Sequence, residues 1–242
     1  MHARRTAHMN CAIPAVLAFS FFLTPQSAQA QQSYIGRFDA YGGFMYLDSP
    51  HISLGEPGFH MQVGVRPRSW FSLGFDYSVG TGDTTLKPSL FTTTLQQQLG
   101  AELTQLAALG EIPAGYTLSL PIHSQTQTFA GGPQLGYHHW SRVTLYLRPS
   151  IGYIHEIATP HPADPIAAAI VAQLAPSGKK KDWTPFYGVG GGAEVNVSTH
   201  FAVRMQLDVV HDHLFSDLLK DGRTSVRFSI GPAVQFGGNV VK

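Results

Sequence analysis

The 242-residue chain has one cysteine, few charges and, past its first thirty residues, no long apolar run. Cys11 stands at the head of the apolar CAIPAVLAFSFFL, which follows the basic MHARRTAHMN and precedes TPQSAQA. A basic start, about a dozen apolar residues and an A-x-A end are the parts of a secretory signal peptide, so residues 1–30 are expected to be removed after Ala30. The mature part, 31–242, then carries no thiol, which excludes disulfides and cysteine-based metal sites. Of the 16 Lys and Arg, Arg4 and Arg5 leave with the leader, so 14 basic residues face 15 acidic ones. That balance gives no basis for a nucleic-acid partner.

Charged residues make up 13% of the chain, about half the share of a soluble domain. No later stretch approaches the roughly 18 to 20 consecutive apolar residues of a spanning helix. A transmembrane β-barrel meets both conditions, because alternation disperses its apolar residues along short strands.

The alternation is there. In TSVRFSIGPAVQF, Thr224 to Phe236, the residues Val226, Phe228, Ile230, Pro232, Val234 and Phe236 share one parity, and Ser225, Arg227, Ser229, Gly231, Ala233 and Gln235 the other. The same period of two recurs over 37–47, 59–66, 71–79, 126–137, 143–154, 186–197 and 201–209, which predicts eight strands. Eight is an even number, as a closed antiparallel barrel requires. The joins RPRSW, HHWSR and VSTH are tight, whereas 48–58, 80–125, 155–185 and 210–223 are longer. Long and short joins alternate, as in outer-membrane barrels with external loops and periplasmic turns, which puts both ends of the barrel in the periplasm.

One parity is large and apolar. The other is mostly Gly, Ser, Ala, Thr and Gln, with Arg37, Asp39, Asp76, Arg148, Glu194, Arg204, Asp208 and Arg227 among them, and no lysine lies in any of the eight stretches. Small residues with mixed charges suit a narrow lumen that side chains fill, so the apolar parity is expected to face lipid. Aromatic girdles are expected from Tyr46, Tyr77, Tyr153 and Tyr187 at the outer strand ends. Phe38, Trp70, Tyr137, Trp140, Phe201 and Phe236 form the periplasmic girdle.

On this architecture and the final aromatic Phe236, residues 35–236 resemble the small eight-stranded outer-membrane barrels of the OmpA, OmpX and opacity type. The resemblance implies an all-β, up-and-down barrel in the outer membrane of a Gram-negative-type cell, with no periplasmic domain after it. It implies lipid, lipopolysaccharide and the barrel assembly machinery as partners, and an extracellular protein or surface as a further partner of the loops. No cofactor is implied. The expected role is structural or interactive, with at most a very narrow pore.

Other chemistries are less well supported. His51, His123, His155, His161, His211 and His213 gather at the outer end without a tight metal-ligand spacing, and imidazole is a common ligand for Zn, Cu and Ni. His123–Ser124 and His155–Glu156 are the pairs a lipid A-modifying enzyme would use, but adjacent strand residues point to opposite faces. A soluble, lipocalin-like carrier would need a polar outer wall. In the 80–125 join, Leu95, Leu99, Leu103 and Leu106 with Gly110 as a stop predict a helix. In the 155–185 join, Asp164 as cap and Pro165 at the first position predict a second one. Lys179, Lys180 and Lys181 follow it and can meet lipopolysaccharide phosphates.

Overall fold

The computed structural model describes Gln32, residues 34–113 and residues 115–240; the expected signal peptide lies outside them. Eight strands, β1 (Gly36–Ser49), β2 (Leu54–Arg68), β3 (Phe71–Leu86), β4 (Leu120–Tyr137), β5 (Val143–Pro160), β6 (Lys180–Asn196), β7 (Phe201–Asp212) and β8 (Arg223–Asn239), form a closed antiparallel barrel in sequence order. β1 closes it by pairing with β8, Phe44 opposite Ile230 and Tyr46 opposite Phe228.

All eight strands continue past the outer ends expected from the sequence, β8 by a single residue. The joins shrink to 50–53, 87–119, 161–179 and 213–222, and β6 takes in Lys180 and Lys181. The physical reason is an inversion of polarity along each strand. Through the middle, apolar residues point out and polar ones point in: Phe75, Leu147, Val203 and Leu207 are exposed, while Asp76, Arg148, Arg204 and Asp208 are buried. Beyond the outer aromatic residues the sides exchange. Thr81, Asp83, Thr85, His123 and Lys181 are exposed, and Leu47, Leu54, Leu86, Leu120, Ala158 and Val210 are buried. A belt of large apolar side chains turned outward is stable only against lipid. The stretch above it is polar outside and, apart from a buried cluster around Arg223, largely apolar inside, as in a water-soluble barrel.

Glycine on the inward side follows from the tight curl. A Cβ on Gly43 would lie 2.2 Å from the Ile230 carbonyl oxygen, and one on Gly231 would lie 2.3 Å from that of Gly42. The β1–β8 seam can close only with hydrogen at both positions. The β4–β5 ladder is interrupted between Gly131–Ile151 and Leu135–Leu147. In that register Pro133 stands opposite Pro149, and neither has an N–H to give.

The outer end is roofed. Helix α1 (Thr93–Ala108) is capped by Thr92, whose hydroxyl accepts from the Leu95 amide, and Gly110 leaves it at φ 74°. Helix α2 (Pro165–Leu174) starts at Asp164, whose carboxylate accepts from the Ile166 and Ala167 amides at 2.9 and 2.8 Å. Both helices thus form where the leucine spacing and the Asp-Pro start predict them. Their apolar faces join Ile52, Leu54, Leu86, Phe91, Leu118 and Leu120 in one core over the barrel mouth. A bridge between Phe91 and Leu219 ties the α1 segment to the β7–β8 loop.

Candidate functional site

The lumen is filled by polar side chains in layers. Nearest the short turns, Arg66 donates to Gln235 Oε1 at 3.2 Å and lies 3.8 Å from Asp39. Arg204 on β7 forms the next layer. Its Nε donates to Glu194 at 2.7 Å, Nη1 to Gln62 at 2.9 Å and Nη2 to Asp39 at 2.6 Å. The rings of Tyr41 and Tyr146 lie 5.4 and 5.6 Å from its guanidinium carbon, within cation–π range.

At mid-height Asp76 pairs with Arg148 and lies 3.5 Å from Arg227. Arg227 also donates to Asp208 at 2.8 and 2.9 Å and to Ser78 and Thr128 at 3.1 Å. His60 completes this layer, 3.0 Å from the Ser229 hydroxyl and 3.7 Å from Asp76. An outer layer follows: Arg223 reaches Glu156 at 2.7 Å and Asp212 at 3.3 Å, Ser124 donates to Glu156 and Thr126 to Glu56, both at 2.9 Å. Buried charges are tolerable when paired and hydrogen-bonded, and these layers pair each of their arginines with a carboxylate, while Glu56 Oε2 is left without a hydrogen-bond partner.

Of the charges picked out in the sequence, Asp39, Asp76, Arg148, Glu194, Arg204, Asp208 and Arg227 are buried in these layers. Arg37 is not. Its side chain is exposed, because the β1–β8 register shifts between Gly36 and Phe38 and carries Arg37 out of the inward parity. His60 and Arg66 also lie on the polar parity and belong to the network, although they were not among the residues picked out in the sequence. Glu56, Glu156, Asp212 and Arg223 were missed because they sit beyond the polarity inversion. Continuing the inward parity by one to three residues would have found them.

Outer-end aromatics Tyr46, Tyr153 and Tyr187 are exposed, and Tyr77 is half-buried against Phe129. Trp183, expected in a loop, belongs to the same belt: it stacks on His155 at 4.2 Å and on Phe129 at 6.0 Å. At the short-turn end Phe38, Trp70, Tyr137, Trp140, Phe201 and Phe236 are all exposed, with Phe38 stacked on Phe236. His123 turns outward to Asp83 at 2.8 Å, while neighbouring Ser124 turns inward to Glu156. His211 and His213 meet edge to face at 5.0 Å. Among the described residues no group of three or more His, Cys, Asp or Glu is placed to hold a metal ion.

In the roof, Tyr116 donates to Asp164 at 2.9 and 3.0 Å. The Ala167 amide, with help from Tyr116 and the Ile166 amide, holds the Asp164 carboxyl below its ordinary range. Burial and the Asp164 charge push the Tyr116 hydroxyl up to about 12. Beneath the roof lies a cavity of about 60 Å³, walled by Leu86, Phe91, Leu120, Ala158, Leu174 and Leu219 among others, with Glu156 at its polar end.

No family model and no curated relative matches the sequence. Solved structures do match in fold. Neisserial surface protein A superposes with a TM-score of 0.51 at 10% identity, over 82% of this chain and 96% of that one. OprG from Pseudomonas aeruginosa gives 0.46 at 10% identity, over 86% and 99%, and Ail from Yersinia pestis 0.45 at 9%, over 84% and 99%. The closed eight-strand topology, the outward apolar belt and the polar-filled lumen give this chain the fold shared with small eight-stranded outer-membrane barrels.

Proposed function

We propose that this protein acts as an outer-membrane barrel with a structural or surface-interaction role, carried by the roof over its outer mouth. The observation behind this reading is the double closure of the lumen, by layers of ion pairs through the membrane and by an apolar core above it. What is left for partners is the polar outer wall and the roof with α1 and α2. Lipopolysaccharide meets the wall at Lys179 and Lys181, both exposed, and an extracellular surface or protein meets the roof. Export by the 1–30 leader and insertion by the barrel assembly machinery belong to the same reading.

An enzymatic role in lipid A modification is not part of it. The candidate pair His123 and Ser124 points to opposite sides of the wall, and Ser124 is committed to Glu156 inside. A lipocalin-like carrier would have the reverse polarity, with the apolar belt inside.

The test replaces residues 87–119 and 161–179 by short turns. The trimmed barrel is expected to insert and to show heat-dependent gel mobility, while cells carrying it lose the adherence to surfaces that the full chain confers. Full adherence with the roof removed would contradict the proposal.

A further inference from the structure

The buried charges of the lumen do not balance along its length. Below the outer layer, Asp39, Asp76, Glu194 and Asp208 are matched in number by Arg66, Arg148, Arg204 and Arg227. In the outer layer, Glu56, Glu156 and Asp212 meet one guanidinium, that of Arg223, which pairs with Glu156 and Asp212. Glu56 is left over. It is fully buried, and its side chain lies over β3, where a Cβ on Gly80 or Gly82 would stand 3.1 Å from its Cβ or Cγ. Across that berth the Thr126 hydroxyl on β4 donates to its Oε1 at 2.9 Å, while Oε2 has no hydrogen-bond partner. Thr126 and Ser124, two residues apart on the inward side of β4, hold Glu56 and Glu156 respectively, so the two carboxyl groups sit side by side.

An unpaired carboxylate out of contact with water is costly, and a second carboxylate beside it adds to the cost; a bound proton removes both penalties. The remaining neighbours supply no cation in its place. β1 brings Met45 and Leu47, His60 in the layer below is engaged with Ser229 and Asp76, and Lys180 on the cavity wall near Glu156 pairs with Asp217. Burial, with the Glu156 charge, pushes the Glu56 carboxyl up to about 7, against the pull of Thr126, Arg223 and Ser124. The next inward residues above the two carboxyl groups, Leu54 and Ala158, belong to the apolar core that joins the barrel to the roof. We propose that Glu56 carries a proton under the closed roof, and that losing it as pH rises sets a charge against this core and loosens the roof from the barrel mouth. The closed state binds the proton more tightly than an open one, in which the carboxyl returns to its ordinary 4.5. Closure is therefore firmest below about 4.5 and weakens as pH rises from there through about 7. This device is independent of any partner on the roof surface.

The test labels the carboxyl carbons of the five glutamates, Glu56, Glu102, Glu111, Glu156 and Glu194, in refolded full-length protein and follows them by NMR across the pH range. The signal lost in Glu56→Gln should still be in its acid form at about pH 6, well above the ordinary glutamate range. Glu156→Gln removes the neighbouring charge and should lower the pH at which Glu56 ionises. Hydrogen-exchange protection of the Leu99 and Ile170 amides in the roof should fall at least tenfold between about pH 5 and about pH 8, while that of Met205 and Leu207 in the belt holds. In Glu56→Gln, neutral at every pH, the roof amides should hold as well. Heat-dependent gel mobility shows that each variant is folded. A Glu56 signal already ionised at about pH 6, or one that ignores Glu156→Gln, would overturn the proposal. Roof protection that stays level in the wild type, or that falls equally in Glu56→Gln or in the belt, would do the same.

Discussion

Arg204 on β7 donates to Asp39 on β1 at 2.6 Å across the barrel lumen, joining strands 165 positions apart in the chain. The same guanidinium serves Glu194 on β6 and Gln62 on β2, so one side chain pins four walls. Removing it strands two buried carboxylates. Arg204→Ala is expected to lower stability by about 3 to 5 kcal/mol, measured by urea unfolding in lipid vesicles. A loss under about 1 kcal/mol would mean that water already fills this layer.

The outward belt makes a separate prediction. Val203 sits mid-strand on the apolar side and is exposed. Val203→Arg should cost roughly 2 to 4 kcal/mol if that side meets the bilayer midplane, and Val203→Leu should be nearly neutral. Equal tolerance of both substitutions in the same unfolding assay would contradict a lipid-facing belt.

Orientation can be read by labelling. Ser177 lies in the exposed α2–β6 loop and Thr199 in the exposed β6–β7 turn, at opposite ends of the barrel. With Cys11 in the expected leader, a single introduced cysteine reports alone. Ser177→Cys should react with a membrane-impermeant maleimide on intact cells, and Thr199→Cys only after the outer membrane is opened. The opposite pattern would invert the barrel.

The β4–β5 turn gives a pH dependence. Burial, aided by Arg66, lowers the His138 imidazole from 6.5 to about 4, against the opposing pull of Glu194 and the Ser69 backbone. The folded state therefore binds the proton less readily than the unfolded state. The contribution of His138 to stability is complete above about 6.5 and is lost as pH falls from there through about 4. His138→Gln should flatten this part of the stability profile between pH 7 and 4. An unchanged slope would assign it to other groups.

The membrane part of this fold was legible in the sequence because one polarity rule holds there. Phe71 to Val79 alternates without exception, and so does the stretch from Phe201 to Val209. Strand ends were lost where that rule reverses. Leu86, Leu120 and Ala158 point inward above the belt, so a pattern that assigns every large apolar residue to lipid ends the strand too soon and counts Trp183 and Lys181 as loop. The lumen charges carried a signal because they interrupt a parity of small residues. Arg37 misled for a local reason, a register shift at the β1–β8 seam that no spacing of residues reveals. How the layers pair also lay beyond the sequence: Arg227 meets Asp208 on the neighbouring strand but Ser78 and Thr128 across the lumen, and only barrel closure brings them together.

Single-channel recording in planar bilayers tests the closed lumen most directly. Purified wild-type protein is expected to show little or no steady conductance, because the Arg204, Arg148 and Arg227 layers and the apolar roof leave no continuous water column. Replacing Arg204 and Asp208 together by alanine should raise it. Large, stable wild-type openings that pass sugars would contradict the account.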